Sequence, residues 1–382
     1  MRCIKCDTDN KLKDRKEHNG RCKKCQHTFA FDPKVTPGVD FTDKFFQGTL
    51  ANLSVNDSLF FTPRQLYYFF NQRRNNKQIE SLKWAGGCAI FVAIVLTFIF
   101  FITSGAFSFV WFLPLLLVAT FGVALLVSPN LRQRLRGNKP QKFSVTPEQV
   151  EAWYSRWRTI NSDVVKLLSP PTSALERQSQ ALQINPEVKN YSFDRVVICD
   201  HPEIAQCLIA NNFHFEHNCA VLSVDGYPHD IFEIVMEMLR RNPSLSVYAL
   251  HDASTTGVEL PHTLRTDSRW FAGSGANIFD LGLLPRQIFN HPVFVESGSQ
   301  RAHAAVTVVS ARVAATLQSD ELRWLEAGNY VSLQSFTPQT LVRVVAQGIA
   351  KSRDPQASDA LVPVTTGDGG GGVYIYASDS FG

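Results

Sequence analysis

The sequence lacks the local signatures of several large enzyme classes. Its 382 residues contain no Gly-rich phosphate-binding loop, no Gly-x-Ser-x-Gly elbow and no His-Glu-x-x-His helix. These absences argue against P-loop nucleotide hydrolysis, α/β-hydrolase chemistry and zinc-protease chemistry. A strong net charge is also missing, since the formal value of +4 is too small to imply a nucleic-acid or lipid partner by itself.

The beginning of the chain lacks the apolar stretch of a cleavable signal peptide and is polar and cysteine-bearing instead. Charged residues are absent between Trp84 and Leu131. A run of this length is enough to cross a hydrocarbon core of about 30 Å twice, at about 20 residues per helix. We therefore predict two internal transmembrane helices, Trp84–Thr103 and Phe107–Val127, with two buried helices of a soluble protein as the alternative.

The charges beside this segment predict its orientation. Residues 1–83 carry 16 Lys and Arg against 9 Asp and Glu, and Arg132 to Lys142 add five basic residues and no acid. Because the turn between the predicted helices is uncharged, both basic flanks, and hence both termini, should be cytoplasmic, with the lipid bilayer as a partner. Residues 143–382 carry 17 basic against 25 acidic residues, which disfavours tight unspecific binding to DNA.

The cysteines form a metal-ligand pattern near the amino terminus. Two C-x2-C pairs, in which fifteen residues separate the second cysteine from the third, present four thiolates to one Zn²⁺: Cys3, Cys6, Cys22 and Cys25. Residues 1–33 resemble a zinc ribbon, with Arg21–Pro33 similar to its second knuckle and following strand. The closed ligand set predicts a structural metal, and His27 is the alternative fourth ligand. The scattered remaining cysteines argue against a disulfide framework and for a reducing compartment.

Three Thr-Pro pairs predict helix starts, at Thr62, Thr146 and Thr337. In each pair threonine caps the helix and proline takes its first position, where a missing N–H is no loss. The predicted helices are Pro63 to about Lys77, Pro147 to about Leu168 and Pro338 to about Lys351, and we expect the first two to pack together beside the membrane.

Short apolar runs that alternate with amphipathic helices predict an α/β domain with a mainly parallel sheet. Its predicted strands are Arg195–Cys199, Ala220–Val224 and Leu245–Leu250. Ligands of such sheets bind at the carboxyl ends of the strands, where Asp200, Asp225 and Asp252 fall.

This region resembles the Toprim domain, in the version found in the A subunit of topoisomerase VI and in the nuclease subunit of Wadjet-type plasmid defence. The segments that carry the resemblance are Val196–Ile209, Asp225–Arg241, Val247–Gly257 and Ile278–Ile288. In that family a glutamate and an Asp-x-Asp pair hold Mg²⁺ for phosphodiester chemistry. The resemblance implies that Asp200 replaces the glutamate and Asp252 is the first aspartate, whereas the second position is Ser254. Asp225 is the candidate that would compensate, so the catalytic candidates are Asp200, Asp225 and Asp252.

The predicted organisation is multi-domain. In chain order we expect a small β zinc ribbon (1–33), a linker with a helix (34–83), two transmembrane helices (84–128), a basic flank with a helix and linker (129–190), a Toprim-like α/β domain with carboxyl-terminal helices (191–350) and a flexible tail (351–382).

Two main functions follow from these predictions. The first is a scaffold or sensor anchored in a bacterial inner membrane and facing the cytoplasm, a component of antiphage or plasmid defence, whose Toprim-like domain binds a protein partner or a second copy without catalysis. The alternative is a membrane-tethered, Mg²⁺-dependent nuclease that acts on nucleic acid. A zinc-ribbon protein of envelope biogenesis is a third hypothesis.

Overall fold

The computed structural model describes residues 1–75, 140–171 and 193–352, with gaps at 243, 290 and 298–308, and isolated residues between 87 and 123. The amino-terminal part contains α1 (Leu12–Glu17), α2 (Asp43–Leu53), α3 (63–75) and α4 (Pro147–Ile160). The following elements are β1 (Arg195–Cys199), α5 (Pro202–Ala210), α6 (Phe213–Glu216), β2 (Ala220–Ser223), α7 (Phe232–Arg240), β3 (Ser246–Leu250), α8 (Thr255–Val258), α9 (Leu260–Thr266), β4 (Asn277–Asp280), α10 (Pro285–Ile288), β5 (Glu296–Ser297), α11 (Ala311–Ala314), α12 (Ser319–Glu326), β6 (Asn329–Tyr330), a 3-10 turn (Leu333–Ser335) and α13 (Pro338–Lys351).

The structure contradicts the prediction of a two-pass inner-membrane protein. Within the described ranges, no helix is both long and apolar enough to cross a bilayer. The predicted helices Trp84–Thr103 and Phe107–Val127 lie, apart from isolated residues, outside those ranges. An uncharged sequence shows only that a segment is hydrophobic. A transmembrane segment must also form a continuous helix of about 20 residues. The predictions of a transmembrane fold class and of an inner-membrane localisation, which rested on this segment, are therefore wrong.

The predicted parallel sheet is confirmed. Four parallel strands lie in the order β2-β1-β3-β4, and β1 and β3 pair over their whole lengths. Every residue of β2, and all but the first residue of β1 and of β3, is buried, as is typical of a parallel sheet covered on both faces. Since β1 and β3 are neighbours, the residues that follow them meet at one edge.

The three predicted helix starts are also present. Thr146 Oγ1 accepts a hydrogen bond from Gln149 N, and the Thr62 and Thr337 side chains accept in the same way from Gln65 and Thr340. The helix that begins at Pro147 ends at Ile160, well before the predicted end near Leu168. The backbone becomes extended at Asn161, with φ of −111° and ψ of 179°, which ends the helix there.

An aromatic core holds the amino-terminal part together. Phe31, which follows the cysteine segment, stacks on Trp157 of α4 with ring centroids 6.1 Å apart. Phe70 of α3 lies 5.2 Å from Trp153 of α4, so the two predicted flanking helices do pack together. Asp43 of α2 is fully buried and accepts hydrogen bonds from the backbone N–H groups of residues 30 and 31. These contacts join the cysteine segment to the helices.

Two buried polar contacts dock this part on the α/β domain. Asn211 at the end of α5 both donates to and accepts from the Phe60 backbone, at 2.9 and 2.8 Å. The second contact is the carboxylate of Glu296, which the Arg64 guanidinium approaches to 2.7 Å. The hydroxyls of Tyr68 and Tyr330 also donate to this carboxylate. The hydrogen bonds to this carboxylate are strong because they involve charged groups and form away from water.

Removal of this carboxylate should be costly. We expect Glu296→Ala to lower the free energy of unfolding by about 2 to 4 kcal/mol, because Arg64 and two tyrosine hydroxyls lose their acceptor. Urea denaturation of the full chain measures this difference. The matched control is Glu237→Ala, whose carboxylate pairs with Arg241 on the exposed surface of α7 and should change stability by less than about 0.5 kcal/mol. Equal effects of the two substitutions would contradict a docking role for Glu296.

Candidate functional site

The four predicted cysteine ligands lie together. Their Sγ atoms are all within 4.8 Å of one another, and the pairs Cys3–Cys25 and Cys6–Cys22 are 3.6 Å apart. Tetrahedral Zn²⁺ with Zn–S bonds of about 2.3 Å needs sulfur atoms about 3.8 Å apart. The cluster therefore has the donor set and the spacing of a tetrahedral thiolate site.

Each pair of cysteines sits on the same kind of turn. Cys3 N donates to Thr8 O at 3.0 Å, and Cys22 N donates to His27 O at 2.8 Å. Asp7 and Gln26, one residue after the second cysteine of each pair, both take the left-handed conformation, with φ of 51° and 57°. The turns are two copies of one knuckle, which points four thiols at a common centre.

A buried asparagine connects the two knuckles. The Asn10 amide donates to Thr8 O at 2.8 Å, lies 3.5 Å from Cys22 Sγ, and accepts from Lys23 N at 2.9 Å. Burial opposes ionisation of Cys22, but backbone N–H groups and the Asn10 amide outweigh it and lower the pKa of Cys22 to about 6. Burial raises the pKa of Cys3 to about 12, and a cation bound at the centre of the cluster would favour its thiolate form.

The second group of potential ligands lies where β1 and β3 end. Asp200, His201 and Asp252 bring one ligand atom each within 4.8 Å of the others. Asp200 Oδ2 accepts from Asp252 N at 2.7 Å, and Asp252 Oδ1 accepts from Leu333 N at 2.7 Å. One oxygen of each carboxylate thus accepts a hydrogen bond from a backbone N–H group. Asp200 Oδ1 is buried without a hydrogen-bond partner among the described residues.

The imidazole of His201 fills the space between these carboxylates. His201 Nε2 lies 3.2 Å from Asp252 Oδ2 and 3.8 Å from Asp200 Oδ2. Burial and the negative charge of Asp252 raise the pKa of Asp200 to about 7. Burial also opposes ionisation of Asp252, but His201 and the Leu333 N–H lower the pKa of that carboxyl below its usual value. The two carboxyls of the edge therefore differ in pKa, and Asp252 is the one that ionises more readily.

The remaining predicted positions do not join this group. Asp225 is exposed, in the turn after the edge strand β2, and is not among the clustered ligands. Ser254 Oγ accepts from Gly257 N at 2.9 Å and caps α8. Ser254, which the resemblance matches to the second aspartate, is thus a helix cap in the structure. A role for Asp225 at this edge stays a prediction.

A fully buried histidine underlies the edge. His251 Nε2 lies 3.0 Å from Asp280 Oδ1, and its Nδ1 lies 2.8 Å from the Asp252 carbonyl oxygen. Burial disfavours the imidazolium, but Asp280 and the carbonyl outweigh it and raise the pKa of His251 to about 9. A Cβ on Gly282 would lie 2.1 Å from this ring, so only glycine fits there.

The sequence analysis found the acids at the ends of β1 and β3 but not the contacts that His201 and the His251–Asp280 pair make at this edge. The pairing of His251 with Asp280 was detectable, because Asp280 ends the fourth strand and belongs to the same edge. The sequence places His201 directly after Asp200, near the strand ends, but its position between two carboxylates depends on its side-chain rotamer. His27, the alternative zinc ligand, lies outside the cysteine cluster.

Comparison with known proteins found no matching family model, no matching curated protein and no matching solved structure.

The buried His251 predicts a pH dependence of stability. Its folded pKa of about 9 lies above the value of about 6.5 expected in the unfolded chain, so its stabilisation is complete below about pH 6.5 and lost as the pH rises through about 9. We expect His251→Gln to cost on the order of 3 kcal/mol near pH 6 and less near pH 9.5, measured by urea denaturation across this range. Wild-type and variant curves that run parallel would show that His251 is neutral in the folded chain.

Proposed function

We propose that this protein is a binding scaffold or sensor, in which a structural zinc module is docked on a Toprim-like α/β domain that recognises a partner or ligand without cutting phosphodiester bonds. The observation that carries the proposal is Ser254, which stands where the family has a metal-binding aspartate and caps a helix instead. A role in antiphage or plasmid defence rests on the resemblance alone.

The zinc assignment is supported by the donor chemistry of the cysteine cluster. Cys3, Cys6, Cys22 and Cys25 would hold the ion with no open position, so its contribution is to folding rather than to catalysis. Ala30 and Phe31, which follow the second knuckle, are buried in the aromatic core. Metal binding would thereby support the packing of the helices as well as the knuckles.

The zinc proposal makes a direct prediction. The full chain should purify with one Zn²⁺ by elemental analysis, and Cys22→Ser should lose the metal and lower the melting temperature, because one thiolate of the tetrahedral set is missing. Cys88→Ser is the control: Cys88 is exposed and outside the cluster, so that variant should retain zinc. Wild-type protein that purifies without zinc and melts at the same temperature as Cys22→Ser would contradict the proposal.

The non-catalytic assignment is supported by the engagement of the acidic edge with its own fold. One oxygen of Asp200 and one of Asp252 accept backbone N–H groups, and His201 lies against the remaining oxygen of Asp252. Mg²⁺ requires near-octahedral oxygen coordination at about 2.1 Å. Each carboxylate already has one oxygen bound to the backbone and a histidine lies between the two, and this arrangement disfavours the Mg²⁺ that the resemblance implies.

The partner is proposed to be a protein or a second copy of the chain, with nucleic acid as the alternative. The excess of acidic residues over 143–382 supports this order, because unspecific nucleic-acid binding depends on neutralising phosphates.

A cleavage assay tests the function. We expect the zinc-loaded full chain to leave supercoiled plasmid, single-stranded DNA and RNA intact in Mg²⁺ or Mn²⁺, with no difference between wild type and Asp252→Asn. The substitution is a sensitive control because asparagine keeps the acceptor for Leu333 N but removes the charge. Metal-dependent nicking by the wild type that Asp252→Asn abolishes would replace this proposal with the nuclease.

A further inference from the structure

The acidic edge contains an imidazole between its two carboxylates, where the family that this domain resembles holds a metal ion. In the family that this domain resembles, a divalent cation balances the clustered carboxylates. Here Ser254 occupies the position of the third carboxylate. His201 Nε2 lies 3.2 Å from Asp252 Oδ2 and 3.8 Å from Asp200 Oδ2. These are distances of an ion pair in which one imidazole serves two carboxylates.

His201 is held there by the local backbone. It is the residue before Pro202, with φ of −127° and ψ of 136°, and α5 begins immediately after it. A residue before proline prefers this extended conformation, so the chain presents the imidazole at the start of the helix. Its side chain makes no capping hydrogen bond to α5 and is 27 % exposed.

We propose that His201 is a built-in counter-ion of the Asp200–Asp252 pair, which takes the place of a divalent cation and excludes it. The inference rests on the proposed non-catalytic function and explains how the edge is stable without a metal. Two carboxylates buried together need a positive charge or a shared proton, and an imidazolium supplies the charge from within the chain. A divalent ion that entered would meet this positive charge at close range.

The opposite role makes the opposite prediction. If His201 were a metal ligand, its removal would weaken the binding of a divalent cation. If it is a counter-ion, its removal exposes two buried carboxylates that lack compensation, and binding becomes tighter. The sign of the change therefore decides between the two roles.

The experiment is Mn²⁺ binding to the zinc-loaded full chain at neutral pH, measured by electron paramagnetic resonance of the free ion. We expect the wild type to bind Mn²⁺ weakly and His201→Ala to bind one Mn²⁺ with an affinity at least about tenfold higher. His201→Gln, which keeps a hydrogen-bond donor without the charge, should also gain the site. His229→Ala, which removes an exposed histidine from the turn after β2, should behave as the wild type.

The double variant His201→Ala with Asp252→Asn should lose the new site, which ties it to this edge. A His201→Ala chain that melts cooperatively yet binds no Mn²⁺, or binds it more weakly than the wild type, would overturn the counter-ion role. The cleavage assay tests the proposed function independently. Metal-dependent nicking by the wild type would contradict that function, whatever the effect of the His201 variants on Mn²⁺ binding.

Discussion

Buried carboxylates that accept backbone hydrogen bonds hold this structure together. Asp43 accepts from residues 30 and 31, Asp252 from Leu333, and Glu321 from Arg286 and Gln318. Each bond joins segments that are distant in the chain or fixes the start of a helix. A buried carboxylate without donors is costly, so each of these acids constrains the backbone that supplies its N–H groups.

The same constraint limits what the acidic edge can do. A carboxylate that serves phosphodiester chemistry must offer its oxygens to a metal ion, whereas Asp200 and Asp252 each give one oxygen to the fold. Ser254 caps α8, where its hydroxyl accepts a hydrogen bond from Gly257 N. The polar groups of the edge therefore stabilise the domain itself.

Local patterns predicted local structure well. The cysteine spacing, the threonine caps and the first strand were confirmed because each depends on a few neighbouring residues. The uncharged segment from Trp84 failed as a guide to the fold class, since hydrophobicity does not by itself specify a continuous spanning helix. The strand order put β2 at the edge of the sheet, which sequence order alone does not specify. The roles of His201 and Glu296 arise from tertiary packing of groups that are far apart in the chain.

The two candidate sites are linked by a continuous set of contacts. The cysteine module packs through Phe31 on the aromatic core, to which α3 also belongs. At the start of α3, Thr62 Oγ1 donates to Gln334 Oε1 at 2.9 Å and Gln65 Nε2 donates to Phe336 O at 3.2 Å. These contacts hold the 3-10 turn whose first residue, Leu333, donates to Asp252. Because that N–H fixes one oxygen of Asp252, the amino-terminal module is part of the structure that shapes the acidic edge, and the geometry of this edge depends on the helices as well as on the sheet.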